Sequence, residues 1–212
     1  MKRKTTIILT TILCLSPILL GLYLYDQLPD MVPTHFNIHG EPDGWSSKPM
    51  AVFGMPLFMA GLNLLCHWAY TYAQKKESQK VAPDILLHIC DWIVAGISVI
   101  VLPMTFFVAM GVKVPLTELL NILLGVTFLV LGNYLPKCKM NAYIGIKLPW
   151  TYSSDENWRR THRLGGFVWV ACGVILLVNV VVQSLLLQLV SMFAAIFIPG
   201  IYSYLIYRKE KN

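Results

Sequence analysis

Residues Gly132–Gly166 read GNYLPKCKMNAYIGIKLPWTYSSDENWRRTHRLGG, the longest stretch of this chain that a lipid bilayer would refuse. It carries Lys137, Lys139, Lys147, Asp155, Glu156, Arg159, Arg160 and Arg163, whereas the sequence on either side is apolar over membrane-spanning lengths. The stretch must therefore lie in water or among lipid headgroups. Six of the 17 Lys and Arg residues fall here. Loops rich in basic residues stay on the cytoplasmic side, so residues 136–163 are placed inside as one long basic cytoplasmic loop.

Toward the carboxyl terminus, no charged side chain occurs over the 44 residues between Arg163 and Arg208. As one helix that run would measure about 66 Å, twice the hydrocarbon core. It must fold as a hairpin of two spans, about 164–182 and 185–207, turning near Asn179 to Ser184, with a kink at Pro199-Gly200 in the second. Toward the amino terminus lie a span at about 117–135, with Thr117 as N-cap and Glu118 in its first turn, and one at about 85–110. A short outer turn with Gly111, Lys113 and Pro115 joins them. Lys75, Lys76 and Lys80 mark the inner end of a further span at 49–73. The first span, 5–25, follows Lys2, Arg3 and Lys4; its length and the lack of an Ala-x-Ala site separate it from a secretory signal.

Residues 26–48 form the one substantial external loop, with Asp26, Asp30, Glu41 and Asp43 against Lys48, a formal charge of −3. Pro29, Pro33, Pro42, Gly40 and Gly44 favour successive turns over a helix. On this topology the basic residues inside are three at the start, three at 75–80, six in the central loop and three at the end, against Lys48 and Lys113 outside. The sequence thus predicts an all-α integral membrane protein: a bundle of six transmembrane helices with N and C termini cytoplasmic, the whole of 1–212 forming a single polytopic domain. Composition agrees, with 56% hydrophobic and 13% charged residues and a mean hydropathy of +0.61, far from a soluble domain. The net charge of +6 does not indicate direct nucleic acid binding, because the basic residues are dealt out between apolar spans rather than gathered on one surface. Four of the five cysteines lie in apolar runs and Cys138 in the basic loop, so no disulfide framework is available.

Three groups of residues could carry chemistry. In the outer loop His35, His39 and Asp43 recur at spacings of four, a metal-binding face if the segment were helical, which Pro33 and Gly40 oppose; no metal ion is predicted. The alternative is a compact turn with Phe36 and Trp45 on the membrane interface and Asn37 and Asp43 bonding backbone amides. At the inner ends of the second and third spans, Asn63 and His67 fall at a depth comparable with His88 and Asp91, and Asp84, His88 and Asp91 share one helical face. Ionisable groups at that depth suggest a proton or signal relay of His67, His88 and Asp91, against the reading of a satisfied interfacial pair. In the central loop, Ser153 with Glu156 matches a capping box. A short helix over Ser154 to Arg163 should follow, bending at Gly165-Gly166, with Arg159, Arg160 and Arg163 within reach of anionic headgroups. No nucleophile elbow, zinc-protease helix or phosphate loop is present; neither catalytic residues nor a cofactor is predicted, and the chain is read as a non-enzyme.

Two stretches together carry a resemblance. The outer loop reads Leu28-Pro29, Val32-Pro33-Thr34-His35-Phe36-Asn37, Gly40, Asp43, Trp45 and Ser47-Lys48. The inner one reads Gly132-Asn133-Tyr134, Pro136-Lys137, Asn141, Gly145-Ile146, Pro149-Trp150-Thr151, Trp158, Thr161-His162-Arg163 and Gly165-Gly166. The chain resembles the SdpI family of bacterial membrane immunity proteins over these motifs, departing at Lys147-Leu148, where the family carries Arg-Thr. The resemblance implies a multi-pass protein of the cytoplasmic membrane of a Gram-positive bacterium, conferring immunity to a secreted peptide toxin. It also implies signal transduction in which a repressor is held at the inner face. The residues expected to bind the toxin are His35, Phe36, Asn37, Asp43, Trp45 and Lys48. Those expected to bind the partner or to signal are Lys137, Asn141, Trp150, Trp158, Arg159, Arg160, His162 and Arg163. A transporter or exporter of small molecules or peptides is the alternative function.

Overall fold

The computed structural model describes residues 3–37, 40–76, 84–141 and 144–211. Its elements are α1 (Arg3–Leu15), α2 (Pro17–Tyr23), β1 (Met31–Phe36), β2 (Pro42–Ser47), a π-helical turn (Met50–Gly54), α3 (Met55–Lys76), α4 (Asp84–Ala109), α5 (Leu116–Tyr134), α6 (Asp155–Val182) and α7 (Leu185–Lys211). Two 3₁₀ turns, Leu135–Lys137 and Pro149–Tyr152, bound the central loop. Among the described residues, six helical segments are long and apolar enough to cross a membrane: Lys4–Tyr23, Met50–Tyr72, Asp91–Ala109, Leu116–Lys137, Asp155–Val182 and Leu185–Lys211. The fold is therefore mostly helical, but it is not all-α. The charged loop after the first span contains a two-stranded antiparallel sheet, β1 with β2. Its prolines fit there because both strands of a two-stranded ribbon are edges, where a missing N–H breaks no inner ladder. Two compact units divide the chain, with boundaries inside α3 after Trp68, inside α4 before Leu87 and inside α5 after Thr117.

In the first unit, α1 and α2 are one membrane-length segment broken at Ser16-Pro17. Pro17 has no N–H for the Leu13 carbonyl, and Ser16 replaces that donor twice, through its backbone N–H at 3.2 Å and its hydroxyl at 2.8 Å. Beyond the break, Gly21 lets α2 press on the π-helical turn; a Cβ there would lie 2.7 Å from Val52 Cγ1. Leu24, Leu28, Val32, Ala51, Val52 and Phe106 close one core, and Cys14, Ala60 and Ala95 a second. Thr117 lies within α5, which starts at Leu116, so it is a first-turn residue rather than the expected N-cap.

In the second unit, α5 and α6 touch backbone to backbone at two glycine pairs one heptad apart. A Cβ on Gly166 would stand 2.7 Å from the Gly132 carbonyl oxygen, and one on Gly173 2.7 Å from that of Gly125. Small residues at such interfaces let lipid-embedded helices approach closely. On α7 the small residues Ser191, Ala195, Pro199 and Ser203 recur every four positions and are buried, while Leu186, Phe193 and Ile196 on the other faces are exposed. The predicted bend at Gly165-Gly166 does not occur. α6 runs unbroken through both glycines, Gly166 packing closely on α5 and Gly165 facing Ile146, Leu135 and Pro199. Between α6 and α7 the chain reverses over Gln183 and Ser184, with Gln183 left-handed at φ 53° and Asn179 Oδ1 accepting the Ser184 N–H at 2.9 Å.

Candidate functional site

The β1–β2 hairpin pairs Pro33 with Trp45 and His35 with Gly44. Gly44 lies against His35, where a Cβ would be 2.9 Å from His35 Cβ. Across the ribbon His35 Nδ1 meets Asp43 Oδ1 at 2.5 Å, both side chains well exposed. Asp43 thus bonds an imidazole and not the backbone amide expected of it. His39, the third residue of that group, lies outside the described residues. Asn37 shapes the connection: its Oδ1 accepts the Glu41 N–H at 3.0 Å and its Nδ2 donates to the Glu41 carboxylate at 3.1 Å. Gly40 supplies the left-handed position at φ +78°. Lys48 lies over the Tyr25 ring at 5.1 Å and 3.9 Å from Asp30. Trp45, 53% exposed, is the large unshielded aromatic of the hairpin, while Phe36 is half-buried.

Within the spans of the same unit, His67 Nδ1 of α3 lies 3.4 Å from Asp91 Oδ2 of α4, with Asp91 3% exposed. Asn63, one turn before His67, bonds Thr10 and Thr11 of α1 at 3.0 and 3.2 Å rather than joining them. His88 is half-buried one turn before Asp91 and is not part of that pair. Asp84 starts α4.

The central loop of the second unit is organised by a buried asparagine that the motifs did not single out. Asn157 Nδ2 faces the Trp150 carbonyl at 2.9 Å, the Ser203 carbonyl at 3.0 Å and Ser153 Oγ at 3.1 Å. Its Oδ1 accepts from Thr161 at 3.0 Å and Ser203 at 2.8 Å. Because Ser203 gives its one proton to Asn157, Thr151 is the donor in the 3.0 Å contact between the two hydroxyls. One amide thus ties the 3₁₀ turn, α6 and α7 together. Leaving such a buried group unpartnered costs about 1–3 kcal/mol.

Gly145, at φ +123°, brings the loop so close to α6 that a Cβ there would run into His162 Nε2. That approach lets the Ile146 N–H donate to Nε2 at 2.9 Å, while Nδ1 lies 2.8 Å from the Trp158 carbonyl, which can only accept. His162 is therefore the neutral imidazole with its proton on Nδ1, and neither nitrogen is left for acid–base work. Trp158 stacks on it at 4.1 Å and donates to the Cys138 carbonyl at 2.9 Å. Asn141 pins the turn through Lys139 and Ile144 and takes the Tyr152 hydroxyl on its own carbonyl at 3.0 Å. Burial pushes the Tyr152 phenol up, so it remains the donor. Trp150 reaches α7, donating to the Gly200 carbonyl at 3.2 Å.

The cap of α6 is Ser154, whose Oγ accepts the Asn157 N–H at 3.0 Å; Ser153 lies one residue early for that role. Glu156 does not complete a capping box. It is drawn outward by Arg159, and by Arg160 at 2.5 Å, and these guanidinium groups hold the exposed carboxylate. Ser153 and Ser154 instead donate to Glu210 near the end of α7. Of the central-loop residues singled out by motif, Asn141, Trp158 and His162 are buried supports and Trp150 is a partly buried bridge. Lys137, Arg159, Arg160 and Arg163 are exposed.

Six membrane-length helices with their polar side chains engaged largely in internal hydrogen bonds define a multi-pass membrane protein. Residues 137–203 match the SdpI/YfhL protein family, and residues 12–60 match a domain of unknown function (DUF1648). Among curated relatives, the Immunity protein SdpI of Bacillus subtilis (strain 168) is 26% identical over 209 residues, 97% of each chain. No solved structure matches. The resemblance carried by the loop motifs is borne out, and with it a multi-pass location in the cytoplasmic membrane.

Proposed function

We propose that this chain is a membrane immunity protein that protects its cell from a secreted peptide toxin. The observation that carries the reading is the relationship to an immunity protein along 97% of both chains. On this reading both termini and the central loop are cytoplasmic, the β1–β2 hairpin is external, and 1–212 acts as one polytopic domain. The hairpin is the toxin-binding surface. A membrane-active peptide concentrates at the bilayer surface, where the exposed Trp45, with Phe36 beside the His35–Asp43 pair, offers aromatic area and a polar edge; aromatic anchors of this kind dominate binding surfaces. Asn37 and Lys48 contribute by holding that surface in shape.

The finer part of the proposal is signalling. Arg159 and Arg160 are the exposed cations on which a repressor would be held. Coupling needs an arrangement that differs between the occupied and empty states, and the His67–Asp91 contact is its proposed seat. The test is survival of a toxin-sensitive host with and without this chain, scored beside protein abundance and a reporter. Equal killing in both hosts removes the immunity reading. The transport reading rests on the same buried imidazole–carboxylate contact, since intramembrane ionisable pairs mark proton pathways; protection that vanishes when the membrane potential is collapsed would favour it.

A further inference from the structure

Beyond the immunity reading, we infer that the second unit carries a binding site for one anionic phospholipid, in the groove where the end of α5 meets the start of α6. The groove has a volume of about 430 Å³ and is lined by Lys137, Arg159, Arg163, Gly166, Phe167 and Val170, among others. Its depth in the bilayer follows from the sequence. Arg163 is the last charge before the uncharged run Leu164–Val182, and Lys137 is the first after the uncharged run 119–136. The two runs, of 19 and 18 uncharged residues, each cover about 27–28 Å, close to the thickness of the hydrocarbon core. Both cations therefore stand at the level of the phosphates, and Phe167 and Val170, one and two turns further along α6, stand at the level of acyl chains.

The charges at that level are not neutralised from within. Arg159 is bonded to Glu156, but no carboxylate of the described residues pairs with Arg163 or Lys137, and the Lys137 ammonium lies 4.5 Å over the Tyr134 ring. The Gly132–Gly166 contact, with Pro136 packed on Gly166, brings the two helices together tightly enough to set both cations on one recess. Phe167 beneath them is 66% exposed. A phosphodiester fits between the guanidinium and the ammonium, with one acyl chain along Phe167 and Val170; free phosphate would use the cations alone. Basic recesses between membrane helices bind anionic headgroups in this way.

The full-length protein, purified in mild detergent, is titrated with phosphatidylglycerol, with phosphatidylcholine of the same chains, and with inorganic phosphate, and bound lipid is counted by native mass spectrometry. We expect one retained phosphatidylglycerol, little phosphatidylcholine and no displacement by phosphate. Lys137→Gln with Arg163→Gln should weaken retention by about 25-fold, fivefold for each charge removed. Arg208→Gln with Lys209→Gln, the same change in net charge away from the groove, should leave it unchanged. Val170→Trp should weaken retention with every charge in place. Equal losses in both charge pairs would reduce the site to diffuse surface attraction, and displacement by phosphate would make it a simple anion site. Unchanged retention in the groove variant together with loss of a transcriptional response would assign the cations to a protein partner. Each of these results overturns the inference. Lys137 and Arg163 are exposed, so folding should survive, and circular dichroism checks it; if the double variant does not fold, Arg163→Gln alone must show the fivefold loss.

Discussion

Asn157 and Trp45 mark the two extremes of what a polar or aromatic side chain does in this protein. Asn157 is wholly buried and makes five side-chain hydrogen bonds to four residues. Asn157→Ala should lower stability by about 3 kcal/mol, because carbonyls and hydroxyls of three chain segments lose their partner at once; the thermal midpoint in detergent and the abundance in the membrane should fall together. Asn157→Asp, which keeps the acceptor and loses the donors, should be no better. Trp45→Ala should behave in the opposite way, leaving midpoint and abundance unchanged while survival under toxin falls; a loss of abundance equal to that of Trp158→Ala would show the hairpin tryptophan to be structural as well. The two tryptophans look alike as letters in a motif. Whether an indole faces solvent or stacks on His162 is decided by contacts up to twenty residues away. For the same reason the role of Asn157 is not legible in the sequence although Thr151 and Thr161 lie in the motifs: its partner Ser203 sits 46 positions on.

At the scale of elements, the glycines separate into two kinds. Gly166→Ala and Gly173→Ala put a Cβ 2.7 Å from a backbone oxygen of α5, and the overpacking should cost about 1–3 kcal/mol each. Gly61→Ala and Gly96→Ala have nothing within 4 Å and should be neutral or gain up to about 1 kcal/mol of helix propensity. Thermal midpoints of the four variants check both statements. The helices themselves were legible because a hydrocarbon solvent demands long apolar runs and tolerates few exceptions. Their ends and the ribbon were not. A six-residue strand containing proline has weak periodicity, a serine pair leaves the cap ambiguous by one residue, and the break at Pro17 depends on whether Ser16 can replace the missing donor.

Across the whole molecule the usual distribution of polarity is inverted. Buried positions include Asn63, Asn121, Asn157 and Asn179 with Thr6, Thr10, Ser98, Ser191 and Ser203, while Leu19, Val181, Leu186 and Ile196 are exposed. Surface apolar patches of this extent belong against acyl chains. The protein should accordingly aggregate without detergent or lipid. The basic residues of the central loop and both termini predict which way the chain sits. With the native cysteines replaced, an impermeant thiol reagent on intact cells should label a cysteine at position 37 and not one at position 155; the reverse pattern would invert the orientation.

The link of Gln183 and Ser184 should also constrain how the chain enters the membrane. Two residues joining α6 to α7, one of them already committed to a left-handed conformation and its neighbour capped by Asn179, leave no slack for the translocation machinery to release one helix into the bilayer while holding back the other. The pair should enter as a single preformed insertion unit late in synthesis, once most of the ribosome's product has emerged. The basic cluster at Arg159–Arg163 should then set the orientation of α7 before Arg208 and Lys209 can contribute to it.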